Sequence, residues 1–330
     1  MALTDLLRIL LFISLASPML AGEFRLQTPI DCDIGEDRHC YVQYYPDLDD
    51  GPDTRDFACG ALTYNGHKGT DFALRSLADM RAGVDVLAAA DGVVQGTRDG
   101  MPDQILTAEN EDQVQGRDCG NGMVIDHGNG WVTQYCHLAR GSVLVKTGDH
   151  VRSGEVLGQV GLSGRTQFPH LHISVRRNGQ RSDPSAIDTT EVCEPSTTPD
   201  TIWADPPSYQ PGGLISAGFW PGIPEYQAIK AGKAAAQNLP DDAPALVIWG
   251  FAFGAQAGDV MRLTIIGPNG AQISTSDAII EKSQPQLFRA TGRRTQHARW
   301  FIPGVYTGRV ALIRDGKTLS DIDTAVTVTR

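Results

Sequence analysis

The sequence predicts a mainly β protein: an antiparallel β-sheet domain followed by a C-terminal β-sandwich of immunoglobulin-like type. Three observations point there. Short β-like runs recur at close spacing, punctuated by glycine turns. Glycine and proline number 36 and 19 in 330 residues, a turn-rich composition. No helical repeat, coiled coil or low-complexity tract interrupts the pattern. The length is a prior for two domains.

Residues 1–21 open the chain with an apolar run from Ile9 to Ala21, broken only by Ser14, Ser17 and Pro18. The run is short for a bilayer span and suits a signal-peptide core, with cleavage after Ala21 or Ala16. The mature protein is then exported, periplasmic or extracellular, with no stable membrane span. Residues 22–60 read as an irregular leader, because stretches such as Pro46-Asp47-Leu48-Asp49-Asp50-Gly51-Pro52-Asp53 disfavour regular structure.

Six cysteines follow the signal segment: Cys32, Cys40, Cys59, Cys119, Cys136 and Cys193. An even number in an exported chain suggests disulfides, and the absence of any CxxC pair argues against a cysteine zinc site. Met123–Asp126 and Trp131–His137 read as a hairpin closed by His127-Gly128-Asn129-Gly130. That hairpin brings Cys119 near Cys136. Cys32–Cys40 and Cys59–Cys193 complete the expected set.

Residues 61–193 form the first domain, with further strands at Val84–Ala89, Gly92–Gly96 and Leu171–Arg176. A polar insertion from Thr97 to Asp118 reads as a long loop. Residues 194–240 form a proline-rich connector. Residues 241–330 carry the sandwich strands Ala245–Phe253, Val260–Ile266, Trp300–Ile302, Tyr306–Arg314 and Asp321–Thr329, with turns at 267–270 and 314–317. The net charge of −11 and the lack of a basic cluster exclude an obvious nucleic-acid partner. Arg176-Arg177 and Arg293-Arg294 read as isolated basic pairs on solvated loops or strand ends.

Three motifs carry candidate chemistry. In His67-Lys68-Gly69-Thr70-Asp71 the two glycines flanking Lys68 and His67 disfavour a helix, so a tight loop entering a strand brings imidazole and carboxylate together. In His170-Leu171-His172, strand alternation puts both histidines on one face, with Leu171 and Ile173 in the core. His137 ends the second hairpin strand. Each motif alone is compatible with a structural role. Together, His67, Asp71 and His172 supply three zinc-compatible ligands with a fourth position open, as in catalytic sites. His137 and His170 remain as imidazoles able to move protons. His39, His127, His150 and His297 have no partner spacing, and His127 reads as support for the hairpin turn.

Over residues 62–188 the sequence resembles the lysostaphin-type (LytM-like) zinc endopeptidases of peptidoglycan. The resemblance rests on Gly66 to Phe72, on Gly122 to His127 leading into Tyr135-Cys136-His137-Leu138, on the glycine-punctuated Val145 to Gly158, and on Pro169-His170-Leu171-His172. It implies an antiparallel β core with a narrow groove. It also implies a Zn2+ held by His67, Asp71 and His172, catalytic roles for His137 and His170, and peptidoglycan stem peptides as substrate. Gln167-Phe168 and Ile173 depart from the family's usual residues, and the insertion is long. Because some relatives only regulate other enzymes, a non-catalytic peptidoglycan-binding regulator of a cell-wall amidase is the alternative. A structural, adhesin-like role for the C-terminal region is a third reading. That region is expected to bind the wall or a protein partner.

Overall fold

The computed structural model describes residues 23–34, 39–187, 200–295 and 301–330; the expected signal segment, Cys193 and His297 lie outside these. The first ten strands are β1 (Cys40–Tyr44), β2 (Thr70–Leu74), β3 (Asp85–Leu87), β4 (Gly92–Arg98), β5 (Asn121–Gly128), β6 (Trp131–Leu138), β7 (His150–Val151), β8 (Val156–Gln159), β9 (His170–Arg177) and β10 (Gln180–Ser182). One antiparallel sheet runs in the order β1-β2-β9-β6-β5-β4-β7, with β10 pairing β9, while β3 and β8 pair separately. A short helix, α1 (Leu77–Ala82), follows β2 and is capped by Ser76, whose hydroxyl accepts from the Asp79 amide.

The alternation of β9 sets the architecture. Leu171, Ile173 and Val175 are wholly buried beneath the sheet, which leaves His170, His172, Ser174 and Arg176 on the opposite face. The residues expected to be an irregular leader contribute an edge strand, β1, paired with β2. Leu26 is also buried there, and its backbone bonds to Ile202 and Ala204. Acidic, proline-rich flanks hid that strand. The polar insertion begins only after β4 ends at Arg98, and it contains one helical turn, α2 (Glu111–Val114). Asp99 and Asp103 tie it down by accepting backbone N–H groups of Gly141, Arg140 and Leu162.

The second region begins earlier than expected, inside the proline-rich connector. Its elements are β11 (Gly213–Trp220), α3 (Tyr226–Lys230), β12 (Asn238–Pro240), β13 (Ala245–Ala255), β14 (Val260–Ile266), β15 (Gln272–Ile279), β16 (Gln284–Arg294), β17 (Gly304–Arg314) and β18 (Lys317–Thr329). They make a three-stranded sheet, β11-β13-β16, and a five-stranded sheet, β12-β18-β17-β14-β15. The apolar faces of the two sheets share one core that includes Leu246, Ile248, Leu263, Val310 and Val326, so this is a sandwich. Phe301 and Ile302 lie outside any strand, contrary to the strand expected at Trp300–Ile302, and Trp300 is not among the described residues.

Strand β13 is buried on both faces. Leu246, Ile248 and Ala252 face the sandwich core. Val247, Trp249, Phe251 and Phe253 face the other way, and the last three join the core of the first sheet. Phe253 packs on Tyr41 of β1 with ring centroids 4.6 Å apart. Gln286 donates to Tyr41 and Gln43, and Gln43 donates to the Pro285 carbonyl. The sandwich is therefore packed against the first sheet.

Candidate metal centre

Residues that face each other across neighbouring antiparallel strands project to the same side. Asp71 on β2 sits opposite His172 on β9, so a carboxylate and an imidazole meet by register alone. His67 arrives from the turn before β2. Gly69 between them serves close approach: a Cβ there would collide with the Ile173 carbonyl and the His172 ring. Tight contact with β9, more than freedom to turn, requires glycine at this position. Gly66, at φ +76°, supplies the left-handed turn residue.

His137 reaches the site by a different device. Cys136 lies opposite His172, so simple alternation would aim the next residue, His137, into the opposite face. The β5–β6 register shifts between Asn121 and Met123, where Cys136 and His137 face only Gly122. This is a β-bulge, and His137 takes φ +66° within it. Bulges re-aim side chains and cluster beside functional sites, and a non-glycine residue at positive φ is held there by its surroundings. The His137 amide donates to the Cys119 carbonyl at 2.8 Å, and its carbonyl accepts from Gly161.

The five residues singled out from the sequence converge. His67 Nε2, Asp71 Oδ1 and His172 Nδ1 lie 2.7 to 3.2 Å from one another. This trio is the one cluster of metal-ligand type among the described residues. His170 Nε2 is 3.6 Å from Asp71 Oδ1, and the His137 and His170 ring centroids are 4.6 Å apart. All but His172 are buried.

Backbone carbonyls fix the tautomers of His67, His137 and His170. His67 Nδ1 donates to the Tyr45 carbonyl at 2.8 Å. His137 Nδ1 donates to the Ser163 carbonyl at 2.7 Å, and His170 Nδ1 to the Phe168 carbonyl at 2.9 Å. Each therefore keeps a bare Nε2 when neutral. His172 is reversed: its Nε2 pairs with Ser174 Oγ at 2.9 Å, leaving Nδ1 for the cluster. With Ser174 Oγ accepting from Nε2–H, two imidazole lone pairs and a carboxylate oxygen point at one another. Three acceptors so close need a positive charge among them, and a divalent metal with nitrogen and oxygen ligands meets that need.

The electrostatics agree. Burial pushes the Asp71 carboxyl up, but the surrounding imidazoles of His67, His170 and His172 hold it well below the usual carboxylate range. Burial opposes charge on His67, yet Asp71 leaves its proton affinity raised. His137 goes the other way: burial, then the neighbouring His170 and His172, lower it well below the usual range. Burial lowers His170 as well, against the pull of Asp71. At neutral pH His137 and His170 are neutral imidazoles able to accept a proton.

Several surrounding residues carry no signal in single motifs. Tyr64 packs on His67 at 4.5 Å and Phe168 stacks on His170 at 4.4 Å. Cys119–Cys136 is a disulfide on the site face, Cys32–Cys40 is a second, and Cys59 is also bridged, its expected partner Cys193 lying outside the described residues. His127 supports the hairpin by bonding the Asp91 carbonyl and Thr133. Arg176, read from sequence as a solvated strand end, lines the groove beside His172. The period-two pattern from His170 onward was the available signal.

Residues 65–184 match the model of Peptidase family M23. Peptidoglycan DD-endopeptidase ShyC of Vibrio cholerae is 33% identical over 126 residues, 38% of this chain and 24% of the relative. DD-carboxypeptidase/endopeptidase Mpg of Neisseria gonorrhoeae is 35% identical over 127 residues, 38% of this chain and 23% of the relative. A solved zinc containing peptidase from Vibrio cholerae is 25% identical, covering 43% of this chain and 38% of its own, with a TM-score of 0.28. The chain thus matches about a quarter of the length of these curated relatives.

Proposed function

We propose that this chain, which carries a peptidase M23 domain at residues 65–184, is an exported zinc metalloendopeptidase that hydrolyses peptide cross-links of bacterial peptidoglycan. The observation that carries this reading is the convergence of His67 Nε2, Asp71 Oδ1 and His172 Nδ1, with two further neutral imidazoles beside them. The names of the curated relatives support the substrate class.

In this reading His67, Asp71 and His172 hold the metal. Zinc, when bound, supplies Lewis-acid polarisation of a peptide carbonyl. The remaining work belongs to the protein. The Ser163 and Phe168 carbonyls lock Nδ1–H of His137 and His170, so Nε2 is the proton-handling atom of each. A bare Nε2 can take the proton of the attacking water, and the imidazolium so formed can pass that proton to the leaving amine. Phe168 stacks on the His170 ring, and Tyr64 packs on the ring of His67. The intact donor set favours an enzyme over a non-catalytic regulator. Among the described residues the sandwich holds no second metal-type cluster, which suits a positioning role.

No helix among the described residues is long and apolar enough to cross a membrane. The purified protein should release peptide-bond cleavage products from isolated sacculi, lose that activity to a chelator and regain it with zinc. Zinc-loaded protein that leaves sacculi and cross-linked stem peptides intact would contradict the reading.

A further inference from the structure

The groove that opens beside His137 and His172, about 300 Å³ in volume, carries four cations: Lys68, Arg165, Arg176 and Arg181. That is a local reversal in a chain of net charge −11. Carboxylates answer two of them. Arg165 binds Glu111 and Asp118 at 2.6 and 2.5 Å. Arg181 lies 3.7 Å from the exposed Asp50. Among the described residues, Lys68 and Arg176 have no such ion pair.

Arg176 is held in place without being neutralised. Both its terminal nitrogens donate to Gln134 Oε1, each at 3.1 Å. A neutral carbonyl occupies part of the five-donor guanidinium and leaves its charge uncompensated. Gln134 in turn donates to Cys119 Sγ at 3.4 Å, which ties the support to the Cys119–Cys136 disulfide. Arg176 shares the His172 and Ser174 face of β9. Four residues of strand separate it from His172, a distance of roughly 13 Å. An extended peptide lying in the groove covers that span in about four residues, or fewer given the reach of the arginine side chain.

We propose that Arg176, flanked by Lys68 and Arg181, forms a carboxylate-recognising subsite. It selects peptides that carry a free carboxylate a few residues from the scissile bond. A planar, charge-retaining fork already fixed by Gln134 is suited to bidentate carboxylate binding. The proposal rests on the peptidase reading and narrows its substrate to anionic peptides.

The test uses the full chain and synthetic cross-linked stem peptides in two forms, with side carboxylates free or converted to amides. The wild-type protein should cleave both, with KM about tenfold lower for the carboxylate form, as a solvent-open charge-assisted contact allows. The preference should shrink at high ionic strength. Arg176→Gln should raise KM for the carboxylate form to that of the amide and leave kcat nearly unchanged, while Arg176→Lys should recover part of the preference. Equal KM for both peptides in the wild type overturns the subsite and leaves the peptidase reading intact. Calorimetric binding of the two peptides to the full chain in chelator reads the subsite without turnover. Equal affinities there overturn it too, whereas a carboxylate preference without any cleavage supports the subsite and contradicts the peptidase reading.

Discussion

Asp183→Asn should flatten the protein's loss of stability between acid and neutral pH. Asp183 is buried; its Oδ1 accepts the Ser185 amide at 2.8 Å, and Oδ2 has no hydrogen-bond partner among the described residues. Burial, reinforced by Asp56 and opposed by the Ser185 hydrogen bonds and Arg181, pushes its carboxyl up to about 7 from 3.8. Between these two values the folded protein keeps the proton and the unfolded chain has lost it. Stability therefore falls as pH rises through this window, and it levels off above about 7. At about 1.4 kcal/mol per pH unit, over roughly three units, the cost at pH 8 is on the order of 4 kcal/mol. Asparagine resembles the protonated carboxyl, keeps the Oδ1 acceptor and does not titrate. Its amide donor at the Oδ2 position adds a pH-independent cost of about 1–3 kcal/mol. Urea unfolding of both proteins from pH 4 to pH 8 should show the difference between them shifting steadily in favour of Asp183→Asn up to about pH 7. A difference that stays constant across that range would refute the assignment of a raised Asp183.

Removing the Cys119–Cys136 bridge, by Cys119→Ala with Cys136→Ala, should lower unfolding stability by about 3 kcal/mol, as expected for a sequence separation of 17; denaturant midpoints under oxidising conditions measure it. A chain ended at Glu194 loses Trp249, Phe251 and Phe253 from the shared core, so it should aggregate or lose its cooperative melting transition. A sharp transition at the full-length Tm in calorimetry would show instead that the first sheet stands alone. His137→Ala and His170→Ala should each lower turnover on stem peptides by about 10²–10⁴-fold while keeping bound metal. Near-normal rates in both would remove them from the reaction.

The sequence made legible those parts of the site that depend on simple periodicity. Alternation along β9 separated Leu171 and Ile173 from His170 and His172, and the structure follows it. Alternation could not place His137, because the bulge opposite Gly122 reverses its direction. Such a bulge depends on which strand pairs with which, and a single segment does not carry that information. Strand β1 was hidden by its acidic neighbours, and its pairing with β2 is non-local. Strands β15 and β16 were missed because their residues are mostly polar and partly exposed. The continuous apolar run of β13 was recognised as a strand. Its burial on both faces, and so the packing of the sandwich on the first sheet, emerged only with the tertiary structure. Arg176, which the sequence reads as half of an isolated basic pair, occupies the same alternating face as the two histidines.

The central claim is that His67, Asp71 and His172 together hold a single catalytic zinc. Metal content per chain, measured by elemental mass spectrometry on the purified wild type and on His172→Ala, Asp71→Ala and His137→Ala, tests it most directly. A three-ligand site has no redundancy. The wild type and His137→Ala should each carry about one zinc per chain, and His172→Ala and Asp71→Ala should lose most of theirs. Full zinc occupancy in folded His172→Ala would contradict the account.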